Sequence, residues 1–277
     1  MSISSMQVKS ELYEPEKQSI KLAQKLREGN YKKIVLVSWH GAGDQCMLRA
    51  PIKKLREMFP DIVIDVAVCK GLDQKFIIPE AIEVGGDWRE TLQKEYNLVV
   101  QMNMPVERLE DLTMTKAEVC CEKELGIPLT SGHVAIKSKK LVGVHFHNTS
   151  VSWLANTDEP IAKKIWQEII DAGCVPIETL FQHAFYNDTS KKFDFVDNHV
   201  RNWPARLDTL IALLSHCDFF IGAVSGNFHL ALSILPYTKV CLLEKDLKAP
   251  HFTKLGIKRI NVKEYQDGVI KQWLATL

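Results

Sequence analysis

The sequence predicts an α/β protein with a parallel sheet in each of two halves. Three observations lead there. Short continuous apolar runs alternate with helix-period segments along the chain, the pattern of buried parallel strands joined by crossover helices. One such run in each half stops at a small-residue turn that opens a helix, Gly41-Ala42-Gly43-Asp44 in the first and Val224-Ser225-Gly226-Asn227 in the second. Finally, 277 residues are long for one domain and suit two of about 130 to 140. We expect two α/β domains, 1–137 and 138–277, with a cleft between them.

The first 30 residues are polar, and after Pro15 the spacing of Ile20, Leu22, Ala23 and Leu26 predicts one helix packed outside the first domain. Residues 34–39 are the first strand, followed by a helix that starts near Asp44 or Gln45, carries Met47, Leu48, Leu55 and Met58, and closes at Phe59-Pro60. Strands are expected at 62–68, 81–84 and 98–102, with short helices between them. A helical pattern over 107–125 ends at Gly126-Ile127-Pro128, and the polar, basic stretch 129–140 reads as the linker. The second cycle opens with a strand at 141–147 and a helix over 159–172 capped by Gly173. Strands at 175–180, 193–196, 219–223 and 240–243 follow, with helices over 205–215 and 265–277. There is no internal repeat and no low-complexity segment.

Composition narrows the function. Thirty-five Lys and Arg balance 34 Asp and Glu, so the net charge is +1. That argues against nucleic acid as a partner, which calls for a basic face. Hydrophobic residues make up 46% of the chain, enough for sizeable cores. The seven cysteines are scattered, without a CxxC pair, and read as reduced, buried thiols. No apolar run reaches the roughly 20 residues a membrane span requires. The first 30 residues are too charged for a signal peptide, so the expected compartment is the cytoplasm.

The two turns are the chemically interesting places. A strand that feeds a small-residue turn and a helix presents free backbone N–H groups, a ready site for phosphate. His229 follows Ser225 by four residues, one helical turn, so both can face the same anion. The bland alternative is a capped helix with one satisfied histidine. In the first turn, Gly41 and Gly43 let backbone approach a ligand closely. Asp44, at the helix start, is either a general base or an ordinary N-cap. HGAGDQ lacks the third glycine of a dinucleotide fingerprint, which makes a nicotinamide-dependent oxidoreductase the weaker alternative.

Together the motifs resemble a known family. Gly43, Asp44 and Pro51 in GDxxxxxxP, then Leu55, Arg56, Phe59 and Pro60 in LRxxFP and the strand IDVAV, resemble the amino-terminal signature of the heptosyltransferases, glycosyltransferase family nine. Cys217 to Ala231 is similar to that family's donor-site pattern, a strand followed by D-S/T-G-x-x-H-L-A, and Leu207-Asp208 to its leucine-acidic pair. The chain departs from the pattern at Val224, where the family has Asp, and in lacking a clear counterpart of the family's lysine after the first strand of the second domain.

The resemblance implies a GT-B architecture, two Rossmann-like domains with parallel sheets facing a cleft, and an inverting glycosyltransferase that needs no metal or other cofactor. Its partners would be a nucleotide-sugar donor and a glycan or glycolipid acceptor, a bacterial surface glycan or lipopolysaccharide precursor by analogy, with peripheral membrane contact left open. Asp44 matches the catalytic base; Ser225, Gly226, Asn227 and His229 match the donor diphosphate positions. His145 and Asn148, after the first strand of the second domain, are further candidates on the donor side, and His40, Gly41 and Gly43 on the acceptor side of the cleft. A nucleotide-sugar-binding homologue without turnover is the alternative. At strand spacing His145 and His147 would point to one side, as two metal ligands do; no nearby Cys, Asp or Glu completes a convincing set, Asp158, Glu159 and more distant groups being the alternatives, so no metal is expected. On this reading Gly226→Trp should block nucleotide binding without unfolding the protein.

Overall fold

A computed structural model describes residues 22–38, 41–70, 75, 77–101, 139–147, 156–181, 193–202, 207–246, 252 and 255–276. His40, Asn148, the 107–125 pattern and most of the 129–140 stretch lie outside the described residues, as does the proposed boundary at 137/138.

The first half runs α1 (Leu22–Glu28), β1 (Lys33–Ser38), α2 (Ala42–Met58), β2 (Val63–Cys69), β3 (Ile82–Val84), α3 (Trp88–Glu95) and β4 (Leu98–Gln101). The second runs β5 (Leu141–His145), α4 (Glu159–Asp171), β6 (Val175–Phe181), β7 (His199–Asn202), α5 (Leu207–His216), β8 (Phe219–Ala223), α6 (Gly226–Ile234), β9 (Val240–Glu244), β10 (Lys258–Asn261) and α7 (Val269–Ala275). The sheet orders are β3-β2-β1-β4 and β10-β9-β8-β5-β6-β7. Every strand pair is parallel, so both halves are α/β as the alternating pattern predicts.

Both sheets are covered on two faces, which explains why their strands are apolar throughout. Along β1, Ile34 and Leu36 face the central core while Val35 and Val37 meet Trp88 and Leu92 of α3, the alternation of a strand. In the second sheet, Val142 and Val144 face Ile165 and Ile169 of α4 and Ile270 of α7. The central core is shared by both halves. It joins the inner faces of the two sheets through α2, α5 and α6, and Leu22 and Ala23 of α1 are fully buried in it. The halves are thus fastened by a common apolar layer, and α1 belongs to that layer.

Two strand expectations shift. Residues 193–196 are not a strand. Phe193 and Phe195 instead stack at 5.2 Å between ring centroids and surround Phe146. The third strand of that edge is His199–Asn202, and the far edge is completed by Lys258–Asn261. Both are short and polar, as edge strands often are, so neither shows an apolar run. α7 is held by a buried carboxylate: Glu168 of α4 accepts hydrogen bonds from the amides of Gly268, Ile270 and Lys271 at 2.7, 3.0 and 3.2 Å. Among the described residues no helix is long and apolar enough to cross a membrane.

Candidate active site at two switch points

In an open parallel sheet, ligands bind beyond the carboxyl ends of the strands, where the strand order reverses. The first sheet reverses between β1 and β4 and the second between β5 and β8. β1 leads into Gly41–Asp44, β5 ends at His145, and β8 leads into Val224–Asn227. The topology thus puts both glycine-containing junctions and His145 at switch points.

It also brings the two junctions together. α2 and α6 pack against each other at their starts. A Cβ on Gly43 would lie 3.1 Å from His229 Cδ2 and 3.3 Å from Gly226 Cα, and one on Gly226 would lie 3.2 Å from Gly43 N and 3.3 Å from Ala42 Cβ. Glycine at both positions is what lets the helices touch backbone to backbone. Farther along, Cys46 of α2 is buried in the shared core, and burial pushes its thiol up to about 12.

α2 begins earlier than its apolar pattern suggests. Gly41 is the N-cap, without a side-chain cap, and its carbonyl accepts from the amides of Asp44 and Gln45 at 3.1 and 3.3 Å. Asp44 is therefore not the N-cap. It is the third residue of the helix, half-buried, where its carboxylate complements the helix dipole. Gln45 is fully buried and donates to Ser38 Oγ at 2.7 Å, tying α2 to the end of β1. The sequence pattern gave no reason to single out either Gln45 or Ser38.

At the start of α6, Ser225 is the N-cap and its Oγ accepts from the amide of Phe228 at 3.2 Å. The helix ladder leaves the amides of Gly226 and Asn227 for a ligand. His229 is buried, with its ring near Gly43 and the Phe252 ring centroid 6.2 Å away. The Asn227 side chain is turned inward: Nδ2 donates to the carbonyl and the hydroxyl of Thr179, each at 3.0 Å. What Asn227 offers a ligand is its backbone.

His145 belongs to the same buried cluster. Its Nδ1 lies 2.5 Å from the Thr179 carbonyl oxygen, which requires Nδ1–H to donate. The 3.1 Å approach of Asn227 Nδ2 to that nitrogen is then a contact between two donors. Burial drives the His145 pKa from 6.5 down to about 4, so the ring is neutral near pH 7. A group whose folded pKa is depressed in this way contributes stability that is full above 6.5 and lost as pH falls through 4. Unfolding free energy should therefore drop by about 3 kcal/mol across that window on account of this ring. Denaturant titrations of wild type and His145→Asn at several pH values check this; equal losses in both proteins would assign the slope to other groups.

His147 does not share the surroundings of His145. Its Nδ1 lies 3.8 Å from Oε1 of the fully buried Glu178, and its ring is 4.4 Å from that of Phe193. Glu178 and Thr179 are consecutive in β6 and point to opposite faces, so the two histidines do as well, because β5 ends at His145. The expectation that both imidazoles look to one side is corrected. Among the described residues no three His, Cys, Asp or Glu side chains are grouped to hold a metal ion. A groove of about 470 Å³ runs along the flank of α2, lined by Arg49, Lys53, Arg56 and Glu80 among others. Arg56 is engaged there, donating to the Ile64 carbonyl and to Glu80.

No family model and no curated protein matches the sequence. Solved structures do. The ADP-heptose lipopolysaccharide heptosyltransferase II of E. coli superposes with a TM-score of 0.58 at 14% identity, over 88% of this chain and 98% of that one. A family nine glycosyltransferase of Veillonella parvula gives 0.57 at 14% identity, over 83% and 85% of the two chains. An E. coli heptosyltransferase solved with ADP gives 0.53 at 13% identity, over 88% and 99%. The fold is that of the heptosyltransferases. This likeness spans both halves, so the GT-B arrangement of two parallel-sheet units holds for the described residues of the whole chain.

Proposed function

We propose that this protein is a glycosyltransferase of family nine that moves a sugar from a nucleotide-sugar donor to a hydroxyl of a glycan or glycolipid. One observation carries the reading: the β1–α2 and β8–α6 junctions meet through Gly43 and Gly226. Asp44 follows Gly43 in the first turn of α2, and the amides of Gly226 and Asn227 open α6 on the other side of that contact.

In this reading the acceptor hydroxyl gives its proton to Asp44 as its oxygen attacks the anomeric carbon. The bond to the nucleotide diphosphate breaks on the opposite side, which inverts that carbon. The departing diphosphate is stabilised by the amides of Gly226 and Asn227 and by the α6 dipole. No metal is required for that step, since oriented N–H groups supply the positive end. Val224, where the family carries Asp, places no carboxylate next to the anion. The neutral His145 contributes no charge to the diphosphate and serves the site through Thr179. A cytoplasmic location agrees with a soluble nucleotide-sugar as donor.

Val224 is also the observation that favours a second reading, a nucleotide-sugar-binding homologue without turnover. Both readings require a nucleotide. A thermal-shift screen over nucleoside diphosphates, with ADP first because a neighbour of this fold was solved with it, should raise the melting temperature by several degrees at saturating ligand. NAD should leave it unchanged. Stabilisation by NAD and by no nucleoside diphosphate would overturn both.

A further inference from the structure

We infer that Thr179 is a positioning residue for the nucleotide-binding turn, a step that rests on the function proposed above and extends it to a residue far from the turn in sequence. Thr179 is fully buried on β6, and it meets Asn227 from 48 positions away. Its hydroxyl donates to the carbonyl of Val144 on the neighbouring strand at 3.1 Å. That bond uses the one hydroxyl proton and leaves the oxygen lone pairs to accept. Asn227 Nδ2 has two protons, and the Thr179 carbonyl and hydroxyl oxygens accept them, each at 3.0 Å. The same carbonyl accepts from His145 Nδ1 at 2.5 Å. Thr179, Asn227 and His145 are 0, 2 and 4% exposed, so water does not compete for these bonds.

The consequence falls on the backbone. Asn227 is the second residue of α6 and its amide is one of the two without a carbonyl partner in the helix ladder. Fixing its side chain to β6 fixes the direction of both amides relative to the switch point. A diphosphate arriving there then meets donors that need no reordering. The family pattern leaves position 227 unspecified, so this lock is read from the structure of this chain alone.

Thr179→Val keeps the shape and removes the hydroxyl, whereas Thr179→Ser retains it. We expect ADP affinity by calorimetry to fall about tenfold in the Val variant and to stay within about twofold of wild type in the Ser variant. Hydrogen exchange of the amides at 226–229 should quicken about tenfold in Thr179→Val only, with or without ligand. Asn227→Leu breaks the lock from the other side and should reproduce both effects, and the Val–Leu double variant should be no worse than either single one. Wild-type affinity and wild-type exchange in Thr179→Val and Asn227→Leu would overturn the inference, as would lost affinity with unchanged exchange. If wild-type protein binds no nucleoside diphosphate, the functional reading fails, and the exchange measurement by itself decides whether Thr179 fixes the turn.

Discussion

Asp44→Asn should lower sugar transfer by about 10²- to 10⁴-fold, the usual contribution of a positioned general base, while nucleoside diphosphate affinity stays within about twofold. The substitution is nearly isosteric and sits in the first turn of α2 on a half-exposed side chain, so the fold has no packing reason to change. The stability cost should be limited to the lost charge–dipole interaction, about 0.3–1 kcal/mol. Transfer measured with the nucleotide-sugar found by the screen, together with calorimetric affinity for its nucleoside diphosphate, separates the two effects. An unchanged rate removes Asp44 from the chemistry. Lost affinity would make it a ligand-binding residue. Wild-type protein that binds nucleotide but transfers nothing supports the homologue without turnover.

Gly226→Val should be the most damaging single change at the junction. Its first added carbon would lie 3.2 Å from the Gly43 backbone nitrogen and 3.3 Å from Ala42 Cβ. Neither neighbour is the free end of a flexible side chain, so α2 and α6 must separate. Overpacking of this kind costs about 1–3 kcal/mol. Because the open amides belong to the displaced turn, nucleotide affinity should fall at least about tenfold as well. A denaturant midpoint and a calorimetric titration report the two losses independently; wild-type values in both would show that the helices have room. The same contact corrects the expectation that Gly226→Trp blocks nucleotide binding without unfolding. The Trp Cβ would meet the same two neighbours, so a loss of binding in that variant would be mixed with a loss of stability.

Much of the molecule was legible because its signals are local. Ile34 to Val37 and Phe219 to Ala223 are apolar on both strand faces, which marks a strand buried on both sides. Gly41, Gly43 and Ser225-Gly226 mark the turns that follow. The edge strands His199–Asn202 and Lys258–Asn261 were missed because an edge needs no apolar run, and Phe193 and Phe195 misled because an aromatic pair packs equally well off a strand. Cys46 of α2 was readable as a buried thiol though not as part of the core shared by the halves.

The chain's local chemistry by itself determined the alternation of elements, the two glycine-containing junctions and the presence of a carboxylate and a histidine beside them, since each follows from side-chain period or backbone freedom within a few residues. Only the tertiary structure decided that β5 lies beside β8, that Gly43 touches Gly226, and that His145 and His147 part to opposite faces. It also decided that Asn227 turns inward, because the oxygens that satisfy its buried amide lie on Thr179, 48 positions away. A buried polar group takes whichever partner the strand order places next to it, and strand order is a property of the packed sheets.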